Sequence, residues 1–281
     1  MSLIRLLIVA LAAAFACSAA SAAVTPPPWK TVTFARHAGP VSAVMTEQRQ
    51  AHGDGFFTFR KLHLVVRVRG RTVLDRQLCN EVRCGPGSHH SLALQNVWGG
   101  SLPEAVIGIY TGGAHCCFDT IVAFTDPPLA GRLAEHDFGD PGYDGERHDG
   151  VYEFMTADDR FAYAFTSFAA SGLPAQVLML SPAGKFVDIT STRLDVVAKD
   201  AKFYWRAYAA DRGTPDADVR GVLAAWCADE YRLGEGAACR AELARAVRNG
   251  WVAKAAGDIW PAGAKFVTAL DRSLRKWGYR S

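Results

Sequence analysis

One short turn carries the densest set of reactive side chains in this 281-residue sequence. It spans residues 110–118, with the sequence YTGGAHCCF, so two glycines precede a histidine and two adjacent cysteines. Thiolate and imidazole groups bind zinc or copper, and a thiolate beside a base can act as a nucleophile or redox centre. Two further cysteines, Cys79 and Cys84, lie in a separate loop. Three hypotheses follow for this turn.

The first hypothesis is that the cysteines form structural disulfides. Adjacent residues of a strand point to opposite faces, which disfavours a bond between Cys116 and Cys117. Each would then pair with Cys79 or Cys84, in either order. His115 would have no special role in that case.

The second hypothesis is a metal centre that uses Cys79, Cys84, either Cys116 or Cys117, and His115, to which the nearby His89 and His90 could contribute. Zinc or copper is the ion that this set could hold. The C-x-x-C spacing of most zinc sites is absent. The third hypothesis is a nucleophilic or redox cysteine with His115 as its base. Neither a Ser/His/Asp signature nor a C-x-x-C redox motif accompanies it.

Cys227 and Cys239 present a simpler case. Their midpoint is residue 233, the centre of the turn at 232–235 between two predicted helices. Residues equidistant from the turn of an antiparallel helical hairpin face each other. The spacing therefore predicts a disulfide that closes the hairpin, with two buried free thiols as the alternative.

A cluster of acidic residues surrounds glycine-rich turns further along the chain, at Asp140, Asp144, Glu146, Asp149 and Glu153. Carboxylates suit calcium, which takes six to eight oxygen ligands, and Asp149 and Glu153 are the ligand candidates. The D-x-D-x-D-G alternation is absent, so the cluster favours a solvated turn. Spacing alone does not identify an acid/base pair for hydrolysis.

The first 22 residues predict an export signal. Arg5 is their single charged residue, residues 6–16 are apolar, and residues 20–22 form an A-x-A cleavage pattern. Acylation at Cys17 is the alternative, although Phe15 is bulky where a small residue is expected. Six cysteines remain after cleavage, and an even count in an exported chain favours disulfides. We therefore expect a periplasmic or secreted protein.

Composition narrows the possible partners. The chain carries 31 basic and 28 acidic residues, 49% hydrophobic residues and 30 aromatic residues, which excludes an intrinsically disordered chain. A net charge of +3 without a basic stripe gives no support to nucleic-acid binding. After the signal, no apolar run reaches the length of a transmembrane helix, so none is expected.

The hydropathy pattern predicts an α+β fold. Residues 23–29 form a proline-rich leader, and residues 30–191 show the alternation of antiparallel strands, arranged as a propeller or a sandwich. Residues 161–167 are one of the predicted strands. The period becomes helical over 192–281, which predicts a unit of four helices, one of them starting at Thr214-Pro215-Asp216. The two parts are expected to pack together.

The sequence around the cysteine turn resembles a family of uncharacterised exported bacterial proteins. Residues 103–106 (PEAV) followed by 110–117 (YTGGAHCC) are similar to that family's loop, strand and turn. The acidic loop of the family resembles the calcium loops of FG-GAP and VCBS repeats in integrin-type propellers. A second, weaker copy spans residues 145–154. The resemblance implies a propeller-like architecture and transfers no established activity.

The resemblance does not extend to the calcium ligands. The positions that would bind the ion in the two loops hold Asn96, Trp98 and Gly100, and Gly145, Arg147 and Asp149. These residues are too degenerate to favour calcium.

Three functional hypotheses remain, and the third of them, hydrolysis by a carboxylate pair among Asp140 to Glu153, requires those side chains to converge in a cleft. The first is a non-enzymatic protein that binds an unknown protein or envelope ligand, which an aromatic groove without converging titratable groups would favour. The second is a metal-binding or thiol-redox protein centred on His115, Cys116 and Cys117.

Overall fold

A computed structural model describes residues 27–52, 56–79, 83–85, 87–113, 118–253 and 257–280. The expected export signal, Cys17 and residues 114–117 of the cysteine turn lie outside the described residues. The described part contains twelve strands and four α-helices, with the strands first and the helices after them. The α+β fold class is therefore confirmed.

The twelve strands form three antiparallel sheets, each a meander of four consecutive strands. The first sheet contains β1 (Lys30–Ala38), β2 (Val41–Ala51), β3 (Phe57–Val68) and β4 (Arg71–Gln77). The second contains β5 (His89–Gln95), β6 (Glu104–Tyr110), β7 (Phe118–Ala123) and β8 (Leu133–Asp137). The third contains β9 (Asp144–His148), β10 (Val151–Ala157), β11 (Ala175–Leu180) and β12 (Phe186–Asp188).

The central strands of the second sheet, β6 and β7, are largely buried on both faces. Ile107 and Ile109 of β6 pack in one core with the first sheet, while Val106 packs in another core with the third. Side chains of a strand alternate between faces, so β6 needs apolar residues at consecutive positions. This requirement explains the unbroken apolar stretch before Tyr110.

Strand β9 lies at the edge of the third sheet and has no buried residue. It contains Asp144 and Glu146 of the acidic cluster, where the sequence favoured a solvated turn. An edge strand can be polar on both faces, and charge there discourages pairing with another chain. The sequence-based expectation of a turn is therefore corrected: residues 144–148 form a strand that pairs with β10.

The four helices pack around a separate apolar core that contains Tyr208, Leu223, Phe266 and Leu270. They are α1 (Leu194–Asp211), α2 (Arg220–Arg232), α3 (Gly236–Arg248) and α4 (Ala264–Lys276). None of the helices in the described ranges has the length and hydropathy needed to cross a membrane.

The predicted start of α2 at residues 214–216 is wrong. Asp216 adopts a φ of 65°, a left-handed backbone conformation that cannot continue a right-handed helix. The helix begins instead at Arg220, whose backbone N–H donates to Oδ1 of Asp218 at 3.2 Å. The N-terminal aspartate of the helix is therefore later in the chain than the sequence pattern suggested.

The predicted strand at residues 161–167 is also wrong. A 3₁₀ turn covers Asp159–Phe161, and turns and bends follow it. Phe161 and Phe165 are buried in the core of the helical part, where Phe161 contacts Trp277 with ring centroids 4.7 Å apart. Burial of two rings against helices therefore prevails over the local β-like alternation.

Two disulfides join four of the described cysteines. Cys227 of α2 bonds to Cys239 of α3, which is the pairing expected for the helical hairpin. Cys79 bonds to Cys84, five residues later. The expectation that Cys79 and Cys84 would each bond to Cys116 or Cys117 is therefore wrong. The short loop between Cys79 and Cys84 places their Cα atoms 5.5 Å apart, so the two residues bond to each other.

Candidate ligand-binding groove

A groove of about 430 Å³ lies at the end of the second sheet that adjoins the cysteine turn. It lies between the strand face and the loop that connects β8 to β9. Its walls include His89, Ser91, Gly108, Tyr110, Phe118, Thr120, Pro141, Gly142 and Tyr143. Tyr110 ends the strand before the GGAHCC turn and Phe118 begins the strand after it, so the groove lies at the strand ends that the turn connects.

Three aromatic side chains form a row across one wall. His89 on β5 pairs in register with Tyr110 on β6, which pairs in turn with Phe118 on β7. Residues directly opposite each other share a face, so the three rings come together. His89 stacks on Tyr110 with centroids 6.0 Å apart, and Tyr110 lies 5.0 Å from Phe118. Phe118 is 40% exposed, so the row ends in an accessible apolar ring.

Two glycines line the groove beside these rings. A Cβ at Gly108 would lie 2.7 Å from Oγ of Ser91, so a side chain there would displace the serine. Gly142 adopts a φ of 59° and would place a Cβ 3.6 Å from the Phe118 ring. Glycine at both positions therefore keeps this part of the groove free of further side chains.

Tyr143 closes the side of the groove opposite the strands. Its ring packs on Phe138 and Phe154, with centroids 4.7 and 4.9 Å away. Burial raises the pKa of Tyr143 to about 12, with the neighbouring Tyr152 acting in the same direction. The hydroxyl therefore stays protonated at neutral pH, and it is hydrogen-bonded to the side chain of Thr120.

The carboxylate nearest the groove is held by an arginine. Asp119 alternates with Phe118 and Thr120 along β7, so its side chain points away from the groove-facing rings. Nε of Arg83 lies 3.6 Å from Oδ2 of Asp119, and Arg83 also pairs with Glu135. Burial raises the pKa of Asp119, and the charge of neighbouring Asp137 raises it further.

A buried ionic cluster anchors the strand beneath the groove. Nδ1 of His90 contacts the carboxylate of Glu47, and Nε2 lies 2.9 Å from the carbonyl oxygen of Arg83. The imidazole of His90 is therefore held through both of its ring nitrogens. Burial alone would raise the pKa of Glu47, but the hydrogen bonds and charges of His90 and Arg49 lower it overall. Sequence reasoning missed this cluster, because Glu47 is 43 residues from His90.

The other residues that the sequence proposed for a site lie apart from this groove. His115, Cys116 and Cys117 are outside the described residues. The side chain of Asp149 is 90% exposed in the β9–β10 turn, whereas Glu153 is buried and paired with Arg193. Within the described ranges, no group of three or more histidine, cysteine or acidic side chains is placed to hold a metal ion.

The loop that resembles a calcium loop is closed by its own hydrogen bonds. Nδ2 of Asn96 donates to the Gly100 carbonyl at 2.6 Å, and Oδ1 of Asn96 accepts from the Gly99 N–H at 3.0 Å. Oε2 of Glu104 accepts from the backbone N–H groups of Val97 and Trp98 at 2.9 and 3.2 Å. The side chains of Asn96 and Glu104 thus hold this loop in its conformation through hydrogen bonds to its backbone.

Comparison with known proteins identifies a relative that is similar to part of this chain. The chain is 31% identical over 147 residues to a probable thylakoid lumen protein of Synechocystis sp.. The alignment covers 47% of this chain and 40% of the relative, so the chain spans less than half of that protein's length. No protein-family model matches the chain, and no solved structure matches it either.

Proposed function

We propose that this is an exported binding protein without catalytic activity, and that the groove beside the cysteine turn is its ligand site. The observation that carries the proposal is the aromatic row of His89, Tyr110 and Phe118, which lines the groove and ends in the exposed ring of Phe118. Among the described residues that line the groove, titratable groups do not converge on a common point: Asp119 is held by Arg83, and His90 by Glu47.

Export is supported by several independent features. Residues 1–22 carry the charge, apolar run and cleavage pattern of a signal, and two disulfides join described cysteines. Disulfides persist in oxidising compartments. The relative is named as a protein of the thylakoid lumen, which is itself reached by export.

The ligand that suits these walls is a neutral, hydroxylated ring, such as a sugar unit of an envelope polysaccharide. The apolar face of a sugar ring stacks on aromatic side chains such as Phe118 and Tyr110. Its hydroxyl groups can bond to the hydroxyl of Ser91, which is exposed on β5. A charged ligand would lack a counter-ion here, because the nearby carboxylates are already paired with Arg83.

The experiment is a calorimetric titration of the purified protein with the tetramer of N-acetylglucosamine. We expect Phe118→Ala to weaken binding about tenfold, which corresponds to roughly 1.4 kcal/mol. Phe203→Ala is the matched control, because Phe203 is 62% exposed on α1, away from the groove. Equal affinity of the wild type and Phe118→Ala, or no binding by the wild type, would contradict the proposal.

A second function is favoured by one observation about the cysteines. Cys79 and Cys84 are bonded to each other, so neither is available to Cys116 or Cys117. In this second function, Cys116 and Cys117 would carry thiol-redox chemistry, or would bind a zinc or copper ion together with His115. Native mass spectrometry, with alkylation and without reductant, tests this function. Alkylated Cys116 or Cys117, or an added metal mass lost on denaturation, is the supporting result, and six oxidised cysteines without metal is the contradicting one.

A further inference from the structure

An apolar groove of about 760 Å³ lies between α3 and α4, in the helical part of the protein. Its volume is within the range of small-molecule binding sites. Side chains of both helices form its walls and floor, chiefly Leu243, Val247, Val267, Leu270 and Leu274. Leu270 and Leu274 are also part of the core, so the floor of the groove is continuous with the packed interior.

The groove is held open by fixed walls. The disulfide between Cys227 and Cys239 attaches α3 to α2, and Cys239 itself lines the groove. Phe266 and Leu270 anchor α4 in the same core. A site that is already formed costs little to organise when a ligand binds.

Cationic side chains surround one end of the groove. Nη1 of Arg240 lies 3.3 Å from the hydroxyl of Tyr231, and the guanidinium of Arg280 lies 5.6 Å from the Tyr231 ring centroid. Asp271 is also at the rim, but it pairs with Arg275 and Arg280. Arg240 and Arg248 form no ion pair with a carboxylate in the described part of the chain.

The net positive charge of residues 236–280 also favours an anionic ligand. Residues 236–280 carry nine lysines and arginines against three acidic residues, whereas residues 1–235 carry 22 against 25. The local excess of positive charge attracts anions to the same end of the molecule that offers the apolar groove. An apolar chain with an anionic head satisfies both features at once.

We infer that the α3–α4 groove binds a single-chain anionic amphiphile, such as a fatty acid or a lysophospholipid. The alkyl chain lies along Leu243, Val247, Val267, Leu270 and Leu274. The carboxylate or phosphate head lies at Arg240, beside Tyr231 and Arg280. This site is independent of the aromatic groove on the second sheet and does not rest on the function proposed for it.

The test measures binding of palmitate, below the concentration at which it forms micelles, by displacement of a fluorescent fatty acid. Palmitoyl lysophosphatidylglycerol is the second probe, and it distinguishes a phosphate head from a carboxylate. Hexadecyltrimethylammonium has the same chain with a cationic head. We expect at least one anionic probe to bind at least tenfold more tightly than the cationic one.

Two variants test the two halves of the site. Arg240→Glu reverses the charge at the head position and is expected to weaken binding at least tenfold. Ala244→Trp places a large side chain into the groove from an exposed position on α3 and is expected to abolish binding. The matched controls are Arg206→Glu, on the exposed face of α1, and Ala241→Trp, on α3 outside the groove; both should stay within twofold of the wild type.

Several results would overturn the inference. They are the failure of both anionic probes to bind the wild type, equal binding of the cationic probe, and unchanged affinity of Arg240→Glu or Ala244→Trp. Binding of an acidic amphipathic peptide that Ala244→Trp blocks, without binding of either lipid, would assign the groove to a helical partner instead. Circular dichroism of each variant separates loss of the site from loss of the fold.

Discussion

The hydroxyl of Tyr279 donates a 2.8 Å hydrogen bond to Oδ2 of Asp158, 121 residues earlier in the chain. The same carboxylate accepts from Arg160, and the guanidinium of Arg232 lies 4.2 Å from the centroid of the Tyr279 ring. Asp158 follows β10 directly, and Tyr279 follows α4. This bond therefore connects the end of the helical part to the third sheet across a buried interface.

Tyr279→Phe should lower the free energy of unfolding by about 1–2 kcal/mol, because it leaves the buried Asp158 with one donor fewer. Urea unfolding at pH 7 measures the change. Tyr163→Phe is the control, since Tyr163 is exposed and should change stability less. Equal free energies of unfolding for Tyr279→Phe and the wild type would show that this hydrogen bond makes no net contribution to stability.

The stability of the protein should fall as pH rises from about 4 to 9, because of Asp229. Burial raises the pKa of Asp229 to about 9, and the charge of Asp200 on α1 adds to the shift. Arg232 acts in the opposite direction. The folded state then retains a proton that the unfolded state releases above its ordinary pKa, so stability is greatest at low pH and is lost towards pH 9.

Asp229→Asn is the variant that isolates this effect. It should be more stable than the wild type by roughly 1–3 kcal/mol at pH 8, with a smaller difference near pH 4. Urea unfolding at both pH values measures it, with Asp211→Asn, at the exposed end of α1, as the control. A pH-independent difference would rule out a titrating Asp229 as the cause.

The buried ion pair between Glu153 and Arg193 should be costly to break and less costly to replace. Arg193→Met leaves Glu153 buried and unpaired, which we expect to cost about 3–5 kcal/mol of unfolding free energy. The double variant Glu153→Met, Arg193→Met should recover much of that loss. A double-mutant cycle from urea unfolding checks this, and additive losses would contradict it.

The two disulfides should differ in their effect on stability. Removal of the Cys227–Cys239 bond by paired alanine substitution should cost about 3 kcal/mol, and removal of the Cys79–Cys84 bond about 2 kcal/mol, since the closed loop is shorter. Thermal unfolding without reductant compares the two double variants. A larger loss for the Cys79 and Cys84 pair would contradict the chain-entropy account.

The sequence by itself was sufficient to predict features that depend on near neighbours. Strong alternation and helical periodicity predicted the α+β class, with β-rich residues before the helical ones. The equal distances of Cys227 and Cys239 from one turn predicted that they face each other. In each case the deciding interactions lie within one element or one hairpin.

Only the tertiary structure decided the features that depend on distant partners. Phe161 and Phe165 lie in a segment with strand-like alternation, but their burial against the helices places them in turns instead. Strand β9 is polar on both faces, so hydropathy cannot distinguish it from a turn. The aromatic row and the Glu47–His90 pair arise from strand register, because side chains far apart in sequence meet only when the sheets form and pack.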